Sequence, residues 1–395
     1  MECRSRRAAL DGAEPVELRW AQVIDAQIVR NGTAWLLPVL SCPCWGTVTF
    51  AAPPAGAHLG AVYYGPMLNA AAVLLSCYGN VPPEWAARLI GMPLGAEISA
   101  DWVDKVAAWV SPQLGKAGFD EVMLAALAAE DVLAADETPM SVLGKAASPA
   151  IADEKDAAGP EEKREKAAAN APHVLITRTT EGRLTLLQAR ASRRKTALAA
   201  GRPATFNGYL ITDGYTGYQH PFLSRLAGIL QCAAHVIRRC RAVTKLDPGG
   251  GQDWAGDVIT ILREAHQAVE AARARMDSAV DKQILDDLRE RYDNAVAFGI
   301  THNRLRDWDA GGNHPGYALG TWLRDYKEQV LLFTRIFAVN WTNNVSEREA
   351  KAAKHHQAVS GYWHSQATLA RWRLRRTETS NTARVSVHRH SARNF

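Results

Sequence analysis

Hydrophobic and polar positions divide this chain into short stretches with different periods. From residue 17 to 50 the apolar positions come in brief extended runs. They predict strands over Val23 to Arg30, Thr33 to Leu40 and Thr47 to Phe50, with Asn31-Gly32 as a hairpin turn and Pro53-Pro54-Ala55-Gly56 closing the segment. From Tyr64 the period changes to three and four. Pro66 opens one helix, Pro82-Pro83 a second, and Ser99 caps a third over Asp101 to Val110, with Trp102, Val103, Val106 and Val110 on one stripe. The Met92-Pro93-Leu94-Gly95 connection permits a helix-turn-helix. The third helix has few basic residues to hold phosphates, so a helical packing region is the preferred reading.

A mixed rhythm follows. Val132 to Ala135 is a short buried strand ending at Asp136, and a low-complexity stretch, Lys145 to Pro172, reads as a surface loop or frayed helix. His173 to Thr179 and Arg183 to Ala189 form a hairpin around Thr180-Glu181-Gly182, and Ser192 caps a helix to about Ala200. Tyr209 to Thr212 is a strand ending at Asp213. Gly228 to Cys232 is another, feeding a helix through His235, Arg238, Arg239 and Arg241. Residues 252 to 300 form a helical hairpin, Leu319 to Phe333 a returning helix, and Asn343-Asn344 cap a helix bearing Glu347, Arg348, Lys351 and Lys354.

Composition narrows the class. In 395 residues, 47% are hydrophobic and 22% charged, which excludes a wholly disordered chain and suits two or three domains. No apolar run approaches the roughly 20 residues a membrane helix needs, and the N-terminal segment lacks the apolar core of a secretory signal. A soluble cytoplasmic protein with no membrane partner is expected. The net charge of +5 is uneven: Trp341 to Phe395 carries +7 and the remainder −2, which suggests a polyanionic partner or a solvated basic tail. The six cysteines form no disulfide framework. Cys42-Pro-Cys44 has no second pair nearby, so a four-ligand zinc site is not expected.

The motifs of serine hydrolases, P-loop enzymes, zinc peptidases and dinucleotide binders are absent. What remains is three acids at element ends: Asp136, Asp213 and Glu347. Carboxylates from separate elements can converge on Mg²⁺, which prefers oxygen ligands, and two such ions roughly 4 Å apart suit phosphodiester displacement. Each acid also has a plain explanation. Asp213 before Gly214 is a turn signal, Asp136 a cap, and Glu347 a first-turn acid favoured by the helix dipole.

At these residues the sequence resembles the insertion-sequence-66 family of bacterial DDE transposases. The likeness is carried by Ala135-Asp136-Glu137-Thr138-Pro139, by Thr212-Asp213-Gly214-Tyr215-Thr216-Gly217-Tyr218 and by Gln231-Cys232-Ala233-Ala234-His235-Val236-Ile237-Arg238-Arg239. Trp341-Thr342-Asn343-Asn344-Val345-Ser346-Glu347-Arg348 and Val359-Ser360-Gly361-Tyr362 complete it. The resemblance implies an α/β fold: a ribonuclease-H-like mixed sheet with a helical insertion, plus an N-terminal β/helical region. It implies Asp136, Asp213 and Glu347 as the catalytic, metal-holding triad, with Mg²⁺ or Mn²⁺ as cofactor. The activity implied is strand cleavage at transposon ends and strand transfer. DNA is the implied partner, in a bacterial, nucleoid-associated setting, with a homo-oligomer assembling on paired ends. His235, Arg238, Arg239, Arg348, Lys351 and Lys354 are candidate DNA-backbone contacts.

The expected organisation is a β-rich remnant (1–56), a helical region (57–128), a catalytic core in two parts (129–245 and 339–365), a helical insertion between them (246–338) and a basic irregular tail (366–395). Both ends depart from the family. Only Cys42 and Cys44 stand where members carry a zinc-binding cysteine cluster, and from Arg373 the chain stays polar, as a shifted reading frame or decayed end would. A catalytically silent DNA-binding relic and a nuclease of the same fold are the alternative readings.

Overall fold

A computed structural model of the chain describes residues 28–54, 62–143, 171–192, 205–214, 218, 225–246, 251–308, 311–361 and 363–391. The side chains of 344–349, 359–360, 379 and 382–391 are outside that description. So are three predicted features: the start of the first strand, most of the low-complexity stretch and the helix after Ser192. The chain divides into two compact units, Met1–Tyr63 with Arg88–Ile98, and Tyr64–Ala87 with Ser99–Phe395. Among the described residues no helix is long and apolar enough to cross a membrane.

The smaller unit contains one hairpin, β1 (Val39–Ser41) against β2 (Val48–Phe50), with Val39 opposite Phe50. Its turn is not Asn31-Gly32, and residues 28–38 form no strand. The Cys42 to Gly46 loop makes the reversal instead. The Cys42 N–H donates to Thr47 O and the Gly46 N–H to Cys42 O, both at 2.8 Å, and Gly46 supplies the positive φ of 63°. Every β1 and β2 residue is exposed, so no buried face extends the strands or selects the upstream turn.

The larger unit begins with α1 (Pro66–Val73), which continues as a single π-helical stretch, Leu74–Tyr78. Next come α2 (Pro83–Leu94), shared between the units, α3 (Ala100–Lys116) and α4 (Phe119–Ala128). Ser99 caps α3 as expected, its Oγ accepting the Trp102 N–H at 3.2 Å. That helix runs past Val110 to Lys116, and Gly118 at φ 65° turns the chain into α4.

Five strands follow: β3 (Val132–Pro139), β4 (His173–Thr179), β5 (Thr185–Arg190), β6 (Tyr209–Thr212) and β7 (Gly228–Gln231). They form one sheet in the order β5-β4-β3-β6-β7. β3 is antiparallel to β4, β4 to β5, while β3, β6 and β7 run parallel. Side chains alternate between faces. Leu133, Ala135, Leu175, Leu186 and Leu210 meet α4 through Met123 and Leu127 on one face. Val132, Ala134, Ile211 and Leu230 pack against the helical segment on the other, and Val174, Ile176 and Leu187 pack there against the two last helices. Burial on both faces explains why these strands read as continuous apolar runs.

After β7 come α5 (Ala233–Thr244), α6 (Asp253–Ala274), α7 (Lys282–Asn303), α8 (Pro315–Asp325) and α9 (Lys327–Val330), ending in a 3₁₀ turn, Leu332–Thr334. α6 and α7 make the expected hairpin, and Asp281 caps α7 by accepting from Gln283 N–H at 2.8 Å. The predicted single helix from Leu319 to Phe333 is instead three pieces. Leu331, Leu332 and Phe333 are consecutive and all buried, which one face of a straight helix cannot achieve and a broken one can.

The chain closes with α10 (Asn344–Ser360) and α11 (Gln366–Ser391). The expected irregular tail is therefore helical from Gln366. Its arginines turn inward at the start: Arg373 meets Asp120 at 2.5 Å, Arg375 donates to Ala107 O, and Arg376 donates to Tyr78 O and lies over the Tyr78 ring. α11 also covers the free edge of β5. Thr377 Oγ1 accepts the Leu187 N–H at 3.0 Å, and Asn381 both accepts the Thr185 N–H at 2.8 Å and donates to Thr185 O at 2.9 Å. Spacing of four on the helix thus matches spacing of two on the strand.

Candidate active site

The parallel pairing of β3 with β6 sets the site. Its registered partners are Val132 with Tyr209, Leu133 with Leu210 and Ala134 with Ile211. Asp136 and Asp213 each stand two residues beyond Ala134 and Ile211. Asp136 lies within β3 and Asp213 directly follows the last residue of β6, so both acids follow paired positions of neighbouring parallel strands. β3 does not end at Asp136, contrary to the sequence expectation. It continues to Pro139 because β4 pairs with it throughout, placing Ile176 opposite Asp136 and His173 opposite Pro139. Asp136 is 8% exposed, and its Oδ1 accepts the Glu137 N–H at 2.9 Å.

Glu137 points to the other face, where the fully buried Tyr218 hydroxyl donates to its Oε2 at 2.7 Å. Burial pushes the Tyr218 phenol well up, and the charges of Glu137, Asp213 and Asp136 push it further. Tyr218 thus stays a neutral donor beneath three carboxylates. In the sequence Tyr218 stands out only as the end of the Thr212 to Tyr218 motif. Its spacing five residues after Asp213 was the available signal.

Gly214 follows Asp213 at φ 92°. A Cβ there would sit 3.0 Å from Gln231 Oε1 and 3.3 Å from the Trp322 ring, so the close approach and the backbone both require glycine. Trp322, on α8, also carries the Arg239 guanidinium 4.1 Å from its ring centroid. Burial lowers the Arg239 pKa, a cost that the ring face offsets. The link Arg239–Trp322–Gly214 joins α5 and α8 to the end of β6. Trp322 carried no sequence motif, and only the fold reveals it.

The third candidate acid, Glu347, belongs to α10. Asn343 occupies its N-cap position but makes no side-chain cap. Its buried Nδ2 instead donates to Ala135 O at 3.0 Å, and its N–H donates to Cys232 Sγ at 3.1 Å. The preceding Trp341 O accepts the Ala233 N–H at 2.9 Å. The expectation that Asn343 caps the helix is thus corrected: the amide spans to the strand because β3 presents a carbonyl there. Glu347 lies on the fourth residue of α10, one turn from this anchor, and α10 packs through Ala350 and Ala353 on the face that bears Asp136. The Glu347 and Arg348 side chains are outside the description.

The remaining predicted contacts separate. His235 is half-buried on the first turn of α5, Arg238 and Lys351 are exposed, and Arg239 is stacked as described. Lys354 donates to Pro139 O at the end of β3, and partial burial lowers its pKa. Asp136 and Asp213 offer carboxylate oxygens alone, a donor chemistry that suits a hard divalent cation. Among the described residues no group of three His, Cys, Asp or Glu side chains could hold a metal. Cys42 and Cys44 are free thiols, and the N–H groups of Cys44 and Trp45 lower the Cys42 pKa.

No curated protein matches the chain. The family described as "Transposase IS66 family" matches residues 61–370, more than three quarters of the sequence and all of the elements from α1 to α10. The chain belongs to the IS66 family of transposases.

Proposed function

We propose that this transposase is of the DDE type, with a ribonuclease-H-like catalytic domain in which Asp136, Asp213 and Glu347 act together on DNA. One observation carries the reading: Asp136 and Asp213 each follow by two residues the paired positions Ala134 and Ile211 of adjacent parallel strands. The strand order β5-β4-β3-β6-β7, with one antiparallel hairpin beside three parallel strands, supports the fold assignment. The Asn343 bond to Ala135 supports Glu347 as the third member, because it ties the start of α10 to the residue before Asp136.

In this reading the three carboxylates hold Mg²⁺ or Mn²⁺, which when bound supplies an activated attacking oxygen and stabilises a leaving one. The protein's part is rigidity. The β3–β4 pairing holds Asp136, the paired Thr212 fixes the residue before Asp213, and the buried Asn343 amide holds the helix of the third acid. Arg238 and Lys351 contact DNA phosphates from exposed positions, and Arg239 is oriented by Trp322. Cleavage at transposon ends, strand transfer and assembly of more than one copy on paired ends belong to the same reading.

The test is nicking and strand transfer on DNA carrying the element's ends, with Mg²⁺ or Mn²⁺. Asp136→Ala, Asp213→Ala and Glu347→Ala should each abolish both steps while leaving DNA binding in place. Undiminished nicking by Asp136→Ala or Asp213→Ala would refute the triad. Binding by the wild-type chain with no cleavage would identify a silent relic, and cleavage without joining a nuclease.

A further inference from the structure

The connection over residues 335–343 delivers the chain from the helical segment to α10, and it contains neither helix nor strand. Such a stretch has no hydrogen-bond ladder of its own, so its fixing points come from its neighbours. Those toward the sheet are Trp341 O, which accepts from Ala233, and Asn343, which donates to Cys232 Sγ and to Ala135 O.

The helical segment holds the same connection through α6. The His266 ring lies nearly parallel to that of Trp341, with centroids 4.1 Å apart and planes inclined by 13°. Arg273 stands seven residues on, two turns along the same side of α6. Its Nη2 donates to Phe337 O. One side of one helix thus grips the connection at Phe337 and again at Trp341. The support is firm, because Ala265 and Val269 beside His266 are each 1% exposed. Glu270 Oε1 is 3.9 Å from His266 Nδ1, beyond hydrogen-bond length, and burial lowers the His266 pKa. A neutral flat ring is therefore what His266 offers Trp341. Both residues are half-buried, so a smaller side chain at 266 leaves the indole room to turn.

We propose that His266 is a positioning residue of this transposase: through Trp341 it fixes the Asn343 anchor and the start of the helix that bears Glu347. The inference rests on the DDE reading, in which Glu347 is the third acid. It gives the helical segment between Asp213 and Glu347 a part in the reaction, as the clamp on the residues that lead into α10. His266 acts through Trp341 and touches neither DNA nor metal, so its loss changes the rate of nicking and leaves DNA affinity in place.

The experiment uses the full chain, DNA carrying the element's ends, and Mg²⁺ or Mn²⁺. DNA affinity and the single-turnover nicking rate are measured separately, at a temperature where each variant is folded by circular dichroism. His266→Ala should slow nicking by about 10- to 100-fold, the effect of a small misplacement, with DNA affinity unchanged. His266→Phe keeps a flat ring on Trp341 and should restore most of the rate. Combined with Asn343→Leu, His266→Ala should add little further loss, because both act through one anchor. Should His266→Ala fail to fold, His266→Leu fills the space without a stacking face and carries the same expectation. A wild-type rate in His266→Ala, no recovery in His266→Phe, or full additivity with Asn343→Leu each overturns the proposal. If Glu347→Gln abolishes nicking while His266→Ala nicks as wild type, this inference fails and the triad stands. If Glu347→Gln nicks as wild type, the triad reading fails and this inference falls with it.

Discussion

The Asn343 side-chain amide donates to the Ala135 carbonyl oxygen at 3.0 Å, joining residues more than two hundred positions apart. The bond sits at the junction that matters most. Ala135 precedes Asp136, and Asn343 precedes the helix that bears Glu347, the proposed third acid. Asn343 is 3% exposed, so its amide has no water to fall back on.

Replacing Asn343 with Leu should therefore cost about 1 to 3 kcal/mol, the usual penalty for leaving a buried carbonyl unsatisfied. Chemical denaturation measures that loss. Nicking should fall more than the stability loss explains, because the start of α10 is freed from β3. Asn343→Leu with wild-type stability and wild-type nicking would remove the anchor from the account.

Gly214→Ala tests the join between β6 and α8. The new methyl meets Gln231 and Trp322, and the residue must hold φ 92°. A destabilisation of about 1 to 3 kcal/mol is expected from the backbone alone. Because Asp213 is adjacent, metal-dependent nicking should drop even at a temperature where the variant remains folded by circular dichroism.

Thr377→Ala combined with Asn381→Ala tests the cover on β5. These two side chains satisfy Leu187 and Thr185 at an otherwise open sheet edge. Their loss should lower the melting temperature and promote association between copies, since an unpaired edge is a template for another strand. Light scattering during a thermal ramp gives the readout, and monomeric behaviour equal to wild type would count against the role.

His356 predicts a pH effect. It stacks on Trp363 with ring centroids 4.4 Å apart, and burial, aided by Arg375 and His355, lowers its pKa to about 4. The unfolded chain takes up a proton near pH 6.5, which the folded chain resists until about pH 4. Folding stability supplied by this site is thus complete above pH 6.5 and is lost as the pH falls toward 4, by up to about 3 kcal/mol. His356→Phe keeps an aromatic ring against the tryptophans. It should flatten that part of the stability profile between pH 7 and pH 4.5, measured by denaturant midpoints.

Much of the core was legible from residue order alone. Tyr209 to Thr212, the β4–β5 hairpin and the α6–α7 pair follow from runs and periods that each element writes locally. The misreadings share a cause. Asn31-Gly32 has the composition of a turn, but no buried face fixes strands around it, so closure passed to the Cys42 to Gly46 loop. Arg373 to Asn381 has the composition of a solvated tail, but Arg373, Arg375, Arg376, Thr377 and Asn381 have specific partners on α4, α3, the π-helical stretch and β5.

The sequence by itself determined the family and the strands that lead to the candidate acids Asp136 and Asp213, because motif identity and apolar period are local properties. Only the tertiary structure decided that the strands leading to Asp136 and Asp213 pair in parallel, with Ala134 opposite Ile211. The same is true of the Asn343 bond to β3, of Trp322 joining Arg239 to Gly214, and of His266 stacking on Trp341. These relations depend on strand register and helix docking between distant segments. Register is set by which faces are buried together, a quantity no single stretch of sequence contains.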